Sequence, residues 1–204
     1  MIYCTSVYED EITHQVILKI YELSQGCISE SKAIHCNGKG KIKKQINAYN
    51  NAAQYGYYFV IADLDDDYEC AALLVKDWLS NTRSDQLSFR VAVHEIESWL
   101  LADRENFAAF LSISQALIPL EPDKEKDPKN TIISLAKKSR KREIREAIVP
   151  VDSYASIGPG YNYQLKDFIQ NLWNIESARK NSPSLNSAIE SLEKIVYKFR
   201  SRTP

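Results

Sequence analysis

The chain has 204 residues, with 26 Lys and Arg against 27 Asp and Glu, 44% apolar residues and a net charge of −1. That length suits one domain, or one domain with a small appendage, and holds enough chain for a core that needs no staple. The charge balance excludes a strongly cationic protein, so contact with nucleic acid must rest on local basic patches, and no apolar run approaches the roughly 18 residues of a membrane span. The N-terminal stretch MIYCTSVYEDE has neither a basic segment nor a long apolar one, so no signal peptide is expected. Cys4, Cys27, Cys36 and Cys70 fall at no zinc-like spacing. Cys4, Cys36 and Cys70 lie in or beside apolar segments and are expected as buried, reduced thiols, which implies a reducing, cytoplasmic compartment.

Taken in chain order, IYCTSVY (2–8) is β-branched and aromatic and predicts a strand. In EITHQVILKIYEL, apolar residues at Ile12, Val16, Ile17, Ile20 and Leu23 have the spacing of one helix face. SKAIHC (31–36) predicts a short strand ended by NGKGK, and a polar helix is expected from Ile42 to about Tyr55. GYYFVIAD (56–63), nearly all apolar and flanked by Gly and Asp, predicts a buried strand. CAALLVKDWL then predicts a helix and LSFRVAVH (87–94) another buried strand. Four strands alternating with helices predict an α/β fold with a mostly parallel, Rossmann-like sheet flanked by helices.

Beyond about residue 100 the pattern turns helical. PLEPDKEKDPKN (119–130) is rich in proline and charge and is expected as an exposed connection. TIISLAKK, REIREAIV and YQLKDFIQNLW predict helices. In SLNSAIESLEKIVYKF, Leu185, Ile189, Leu192, Ile195, Val196 and Phe199 form one stripe, with Ser184 as cap. The expected organisation is an α/β domain over 1–118 and a helical extension over 119–204 packed on it.

Carboxylates gather where the predicted strands end. Glu9, Asp10 and Glu11 follow the first strand, Asp63, Asp65, Asp66, Asp67 and Glu69 the third, and Glu95 and Glu97 the fourth. In open α/β sheets, ligands bind at the carboxyl ends of strands, so parallel neighbours would bring these acids to one rim. Oxygen donors at this density suit Mg²⁺ or Mn²⁺. Acids after a strand also cap helices, and this reading competes at Glu9–Glu11, while Asp66, Asp67 and Glu69 are expected in the first turn of the next helix. Glu95 and Glu97, two apart, would share a face if the strand continues through them. His14, His35 and His94 have no metal-ligand spacing, and GKGK lacks the spacing of a nucleotide-binding Walker loop.

VYEDE (7–11), VIADLDDDYEC (60–70) and VAVHEIESWLLAD (91–103) resemble the Toprim-like proteins, which carry a Glu after the first strand and an Asp-x-Asp after a later apolar one. An uncharacterised bacterial Toprim-like family of about this size shares the acid pair beside a Trp, and IGPGYNYQLKDFIQNLWNIESARKNSPSLNSAI resembles its C-terminal region. The resemblance implies Glu9 as general acid or base near a scissile phosphate, and Asp63 and Asp65 as Mg²⁺ ligands. It also implies Glu97, or Glu95, as the extra acid that helps bind a second metal in overcoming-lysogeny-type Toprim nucleases. Many Toprim proteins have Gly after the first Glu, whereas Asp10 stands here. The activity implied is Mg²⁺- or Mn²⁺-dependent hydrolysis of nucleic-acid phosphodiesters in a bacterial defence or mobile-element system, beside an ATPase partner. The rival is a non-catalytic Toprim-like interaction subunit of an ATPase complex; a small-molecule phosphohydrolase shares the metal logic.

Two basic places are candidates for phosphate contacts: NGKGKIKK, with Lys39, Lys41, Lys43 and Lys44, and KKSRKREIR, with Lys138, Arg140 and Arg142 foremost. The second is expected as a basic helix, and either patch also reads as a solvated charged face. IGPGYNY reads as a turn, with Tyr161 and Tyr163 as candidates for stacking on bases.

Overall fold

The computed structural model describes residues 1–152 and 154–201. They divide into two compact units, Met1–Val93 with the chain from Ser184 onward, and His94–Pro183. Neither joint coincides with the expected division at 118/119.

The first unit alternates β1 (Ile2–Tyr8), α1 (Glu11–Glu22), β2 (Ile28–His35), α2 (Lys39–Ala52), β3 (Tyr57–Asp63), α3 (Ala71–Trp78) and β4 (Leu87–Ala92). The strands form one all-parallel sheet in the order β2-β1-β3-β4. The chain therefore leaves β1 toward one edge and then crosses over it to build outward on the other side. This makes the β1/β3 junction the point where the direction of winding reverses, the place where open sheets leave a crevice. In register, Val7 of β1 faces Val60, so β3 runs two residues beyond the end of β1, and Asp63 faces Ala92, which sets the ends of β3 and β4 level.

Alternation along the strands divides the core between two faces. Val7, Val60, Ala62, Phe89 and Val91 join Ile42 and Ile46 of α2 and Leu74 and Trp78 of α3 in one apolar cluster. On the opposite face, Phe59 meets Tyr21 of α1 (centroids 6.0 Å), whose hydroxyl hydrogen-bonds Ser6 Oγ at 3.0 Å.

The second unit is helical: α4 (Glu97–Leu101), α5 (Arg104–Leu111), α6 (Pro128–Ala136), α7 (Arg142–Ile148), α8 (Tyr161–Asn171) and α9 (Ile175–Ala178). Its core includes an aromatic cluster in which Phe168 lies 5.0 Å from Phe107 and 5.2 Å from Phe110. Buried Asp103 accepts the Asn174 N–H at 2.7 Å and so ties the start of α9 to the start of α5. In the proline- and charge-rich connection, Pro122 is buried and Asp127 caps α6 by accepting the Asn130 N–H at 2.9 Å.

The last helix, α10 (Pro183–Arg200), returns to the first unit, where Ser191 Oγ hydrogen-bonds Ser88 Oγ of β4 at 2.7 Å. Leu185, Ile189, Leu192 and Ile195 of the expected stripe are buried. Its first residue is Pro183, a position that suits proline because the missing N–H has no intrahelical partner, so Ser184 lies inside the first turn and is not the cap. Three further expectations are corrected. Helix α2 begins at Lys39, not Ile42, because Gly38 at φ 108° turns the chain directly into it. β4 ends at Ala92, where His94 at φ 60° breaks the extended run. Cys70 is exposed, while Cys4 and Cys36 are buried, and all four thiols are free. Among the described residues no helix is long and apolar enough to cross a membrane.

Candidate functional site

Glu9 is the second residue beyond Val7, which faces Val60, and Asp63 closes β3, so the winding reversal brings them together. Glu9 Oε1 accepts the Asp63 backbone N–H at 2.9 Å. Burial is the main cause that pushes the Glu9 carboxyl up to about 7; the Asp63 N–H opposes it, Asp65 and Asp10 add to it, and Lys39 opposes it. A carboxyl held there carries its proton part of the time at neutral pH.

Asp10, next in the chain, has a structural role. It is the N-cap of α1, accepting the Thr13 N–H at 2.8 Å and the Thr13 hydroxyl at 2.9 Å, from an ordinary extended backbone with φ −143°. No left-handed turn exists here for a glycine to serve. Asp10→Ala is expected to lower stability by about 1 kcal/mol, read as a fall in the urea midpoint. A midpoint equal to wild type would remove the capping role.

Asp65 departs from its expected place among open oxygen ligands. It takes a left-handed conformation at φ 48° and is ion-paired with Lys39, whose ammonium also lies 2.6 Å from Asp67. Lys39 was expected at phosphate; its charge is balanced within this loop. Asp66, Asp67 and Glu69 are not first-turn helix acids, since α3 begins at Ala71 with no acid in its first turn. Lys43, though exposed, is likewise engaged, with Asp77 at 2.8 Å and the Tyr68 hydroxyl at 3.0 Å, which leaves Lys41 and Lys44 as the exposed bases of this patch without an ion pair among the described residues.

The second acid pair lies in the helical unit. Glu97 begins α4 and is 2% exposed, and Glu95 lies in the turn before it, so the pair is not on a strand. The Lys129 ammonium lies 3.1 Å from Glu95 and 3.7 Å from Glu97, and its backbone N–H donates to Glu95 at 2.9 Å. The Tyr161 hydroxyl donates to Glu97 at 3.1 Å. Tyr161 is buried and does not present a stacking face; Tyr163 is exposed.

The second basic patch is a turn and the start of α7, not one helix, and much of it binds its own unit. Lys141 donates to the Phe110 carbonyl at 3.1 Å, Arg145 to the Ser139 carbonyl, and Arg142 pairs with Glu146 at 2.7 Å. Lys138 and Arg140 remain exposed.

One grouping has no signature in the sequence. Tyr8 stacks between His14 (centroids 4.3 Å, planes 5° apart) and His35 (5.5 Å, 15°), directly before Glu9. His14 Nε2 lies 3.0 Å from Glu30. Tyr8 and His35 are register partners at the carboxyl ends of β1 and β2, so the signal lay in the pairing of two strand ends and not in any spacing.

Among the described residues no three His, Cys, Asp or Glu side chains converge on a point that would hold a metal ion. No protein-family model, curated protein or solved structure matches the chain.

Proposed function

We propose that the chain is a Toprim-like, Mg²⁺- or Mn²⁺-dependent phosphodiester hydrolase acting on nucleic acid, with its site at the β1/β3 junction. The observation that carries this reading is the meeting of Glu9 and Asp63 at the reversal point of a parallel sheet, with the Glu9 carboxyl pushed up to about 7. The donor chemistry fits Mg²⁺ held by one or two carboxylates with its remaining positions left to water and phosphate oxygens, and not a cage of three acids. Asp63 would hold the ion, joined by Asp65 once Lys39 releases it. A bound divalent ion would supply neutralisation of phosphate charge and orientation of the attacking water. Glu9, whose carboxyl is pushed up to about 7, would take or give a proton at the attacking or departing oxygen. Exposed Lys41 and Lys44 are available to the nucleic-acid backbone. By the resemblance, an ATPase partner would regulate cutting.

The test is calorimetric titration of Mn²⁺ into the wild type and into folded Asp63→Ala/Asp65→Ala, followed by incubation with labelled single- and double-stranded oligonucleotides. Binding by the wild type and its loss in the double variant are the expected results. A folded wild type that binds no metal at millimolar concentration, with or without oligonucleotide, would overturn the reading. A non-catalytic interaction subunit is then the better account, and the pairing of the Lys39 ammonium with both Asp65 and Asp67 is the observation that favours it.

A further inference from the structure

β4 is the last strand of its sheet, so its outer edge has no strand partner among the described residues. Ser88 and Arg90 share the face opposite the Phe89 and Val91 core, toward α10. Between this edge and α10 lies a cleft of about 760 Å³, lined among others by Arg83, Arg90, Lys194, Lys198, Ser84 and Asp85. Of the thirteen residues that line it, four are cationic and one is acidic. Asp85 is 3.8 Å from Lys198, and Glu190 is the acid whose charge reaches Arg90. Arg83 and Lys194 make no ion pair among the described residues.

Arg90 is the unusual member. The side chain is half-buried, its Nη1 reaches only Ser187 Oγ at 3.4 Å, and its Nε is buried with no hydrogen-bond partner. A buried cationic donor left unpaired is costly, as is the like charge of Arg83 beside it; burial and Arg83 together pull the Arg90 pKa down. A planar fork of donors, flanked by further cations and by hydroxyl groups in a polar cleft, matches the oxygens of a phosphate group.

We propose that this cleft binds a phosphate group, with Arg90 as its anchor and Arg83 and Lys194 as flanking cations. The group belongs either to a free phosphorylated small molecule or to the backbone of a nucleic-acid strand. The site sits beside β4 and α10 and uses none of the residues at the β1/β3 junction, so it stands apart from the metal-dependent reading.

The experiment is titration of the full chain, in EDTA and at low ionic strength, with inorganic pyrophosphate and separately with a short oligothymidylate. Binding of at least one probe is expected, with retention in Asp63→Ala/Asp65→Ala and a weakening of about tenfold or more in both Arg90→Gln and Arg83→Gln/Lys194→Gln. The double variant changes only exposed side chains and decides the matter if Arg90→Gln does not fold. Pyrophosphate binding assigns a small-molecule site, whereas oligothymidylate binding alone, falling steeply with salt, assigns a backbone site. A folded wild type that binds neither probe overturns the proposal, as does binding that survives Arg83→Gln/Lys194→Gln unchanged or disappears in the Asp63/Asp65 variant.

Discussion

Gly158→Ala is expected to destabilise the helical unit by about 3 kcal/mol or more. The turn before α8 lies flat on the end of α7: the Gly158 N–H donates to the Ile148 carbonyl at 3.0 Å and the Gly160 N–H to the Ala147 carbonyl at 2.9 Å. A Cβ on Gly158 would stand 2.3 Å from the Ala147 oxygen and 2.5 Å from the Ile148 carbon. Both are backbone atoms, so no side chain can rotate away, and relief requires parting the turn from the helix with loss of its two hydrogen bonds. The measurement is urea unfolding, with Gly40→Ala as the control because a Cβ at Gly40 meets nothing within 4 Å. A Gly158→Ala midpoint equal to that of the control would show that the turn does not lie against α7.

Glu9→Gln is expected to raise stability above neutral pH and, on the proposed function, to lower hydrolysis. The Glu9 carboxyl titrates near 7 in the fold, against an ordinary value of 4.5. Folding therefore favours the protonated form. The contribution of this group is fully favourable below about pH 4.5, declines as pH rises, and is lost above about pH 7. The full shift corresponds to roughly 3 kcal/mol, and partial exposure of the carboxyl reduces the expected gain to about 1–2 kcal/mol. Glutamine is neutral at every pH and its carbonyl can still accept the Asp63 N–H, so the variant gains on wild type at pH 8 and not at pH 4. Denaturant midpoints at the two pH values measure this. A variant less stable than wild type at pH 8 would show that Glu9 is ionised at no cost in the fold. On the proposed function the same substitution lowers hydrolysis by about 100-fold or more. A variant that gains stability and keeps full hydrolysis would place the proton elsewhere.

Sequence and structure agree where local pattern decides the outcome. GYYFVIAD is legible as a central strand because apolar residues fill both of its faces, and the Gly and Asp beside it mark its ends. Acids after β1 and β3 are legible as a pair because parallel strands place their carboxyl ends together. HEIESW misleads because acids two apart imitate strand alternation, whereas His94 at φ 60° ends the extended chain and Glu97 opens a helix. The partners of Lys39 were not legible, since they depend on Asp65 entering a left-handed conformation in a loop 26 residues away. Nor was the reach of α10: its stripe announces a helix with one buried face, but no local rule says that this face belongs to the sheet unit and not to the helices that precede it.

That return of α10 has a consequence for how the protein is made. The strand it covers, β4, is complete at Ala92, and α10 begins at Pro183. At a synthesis rate of about 5–20 residues per second, the sheet waits roughly 5–20 s for its last helix. When Pro183 has been added the helical unit, contiguous from His94 to Pro183, has all of its own chain, while the first unit still lacks Leu185, Ile189, Leu192 and Ile195. The later-made unit is thus the first to be whole, and the sheet, begun first, is the last to receive its full apolar cover.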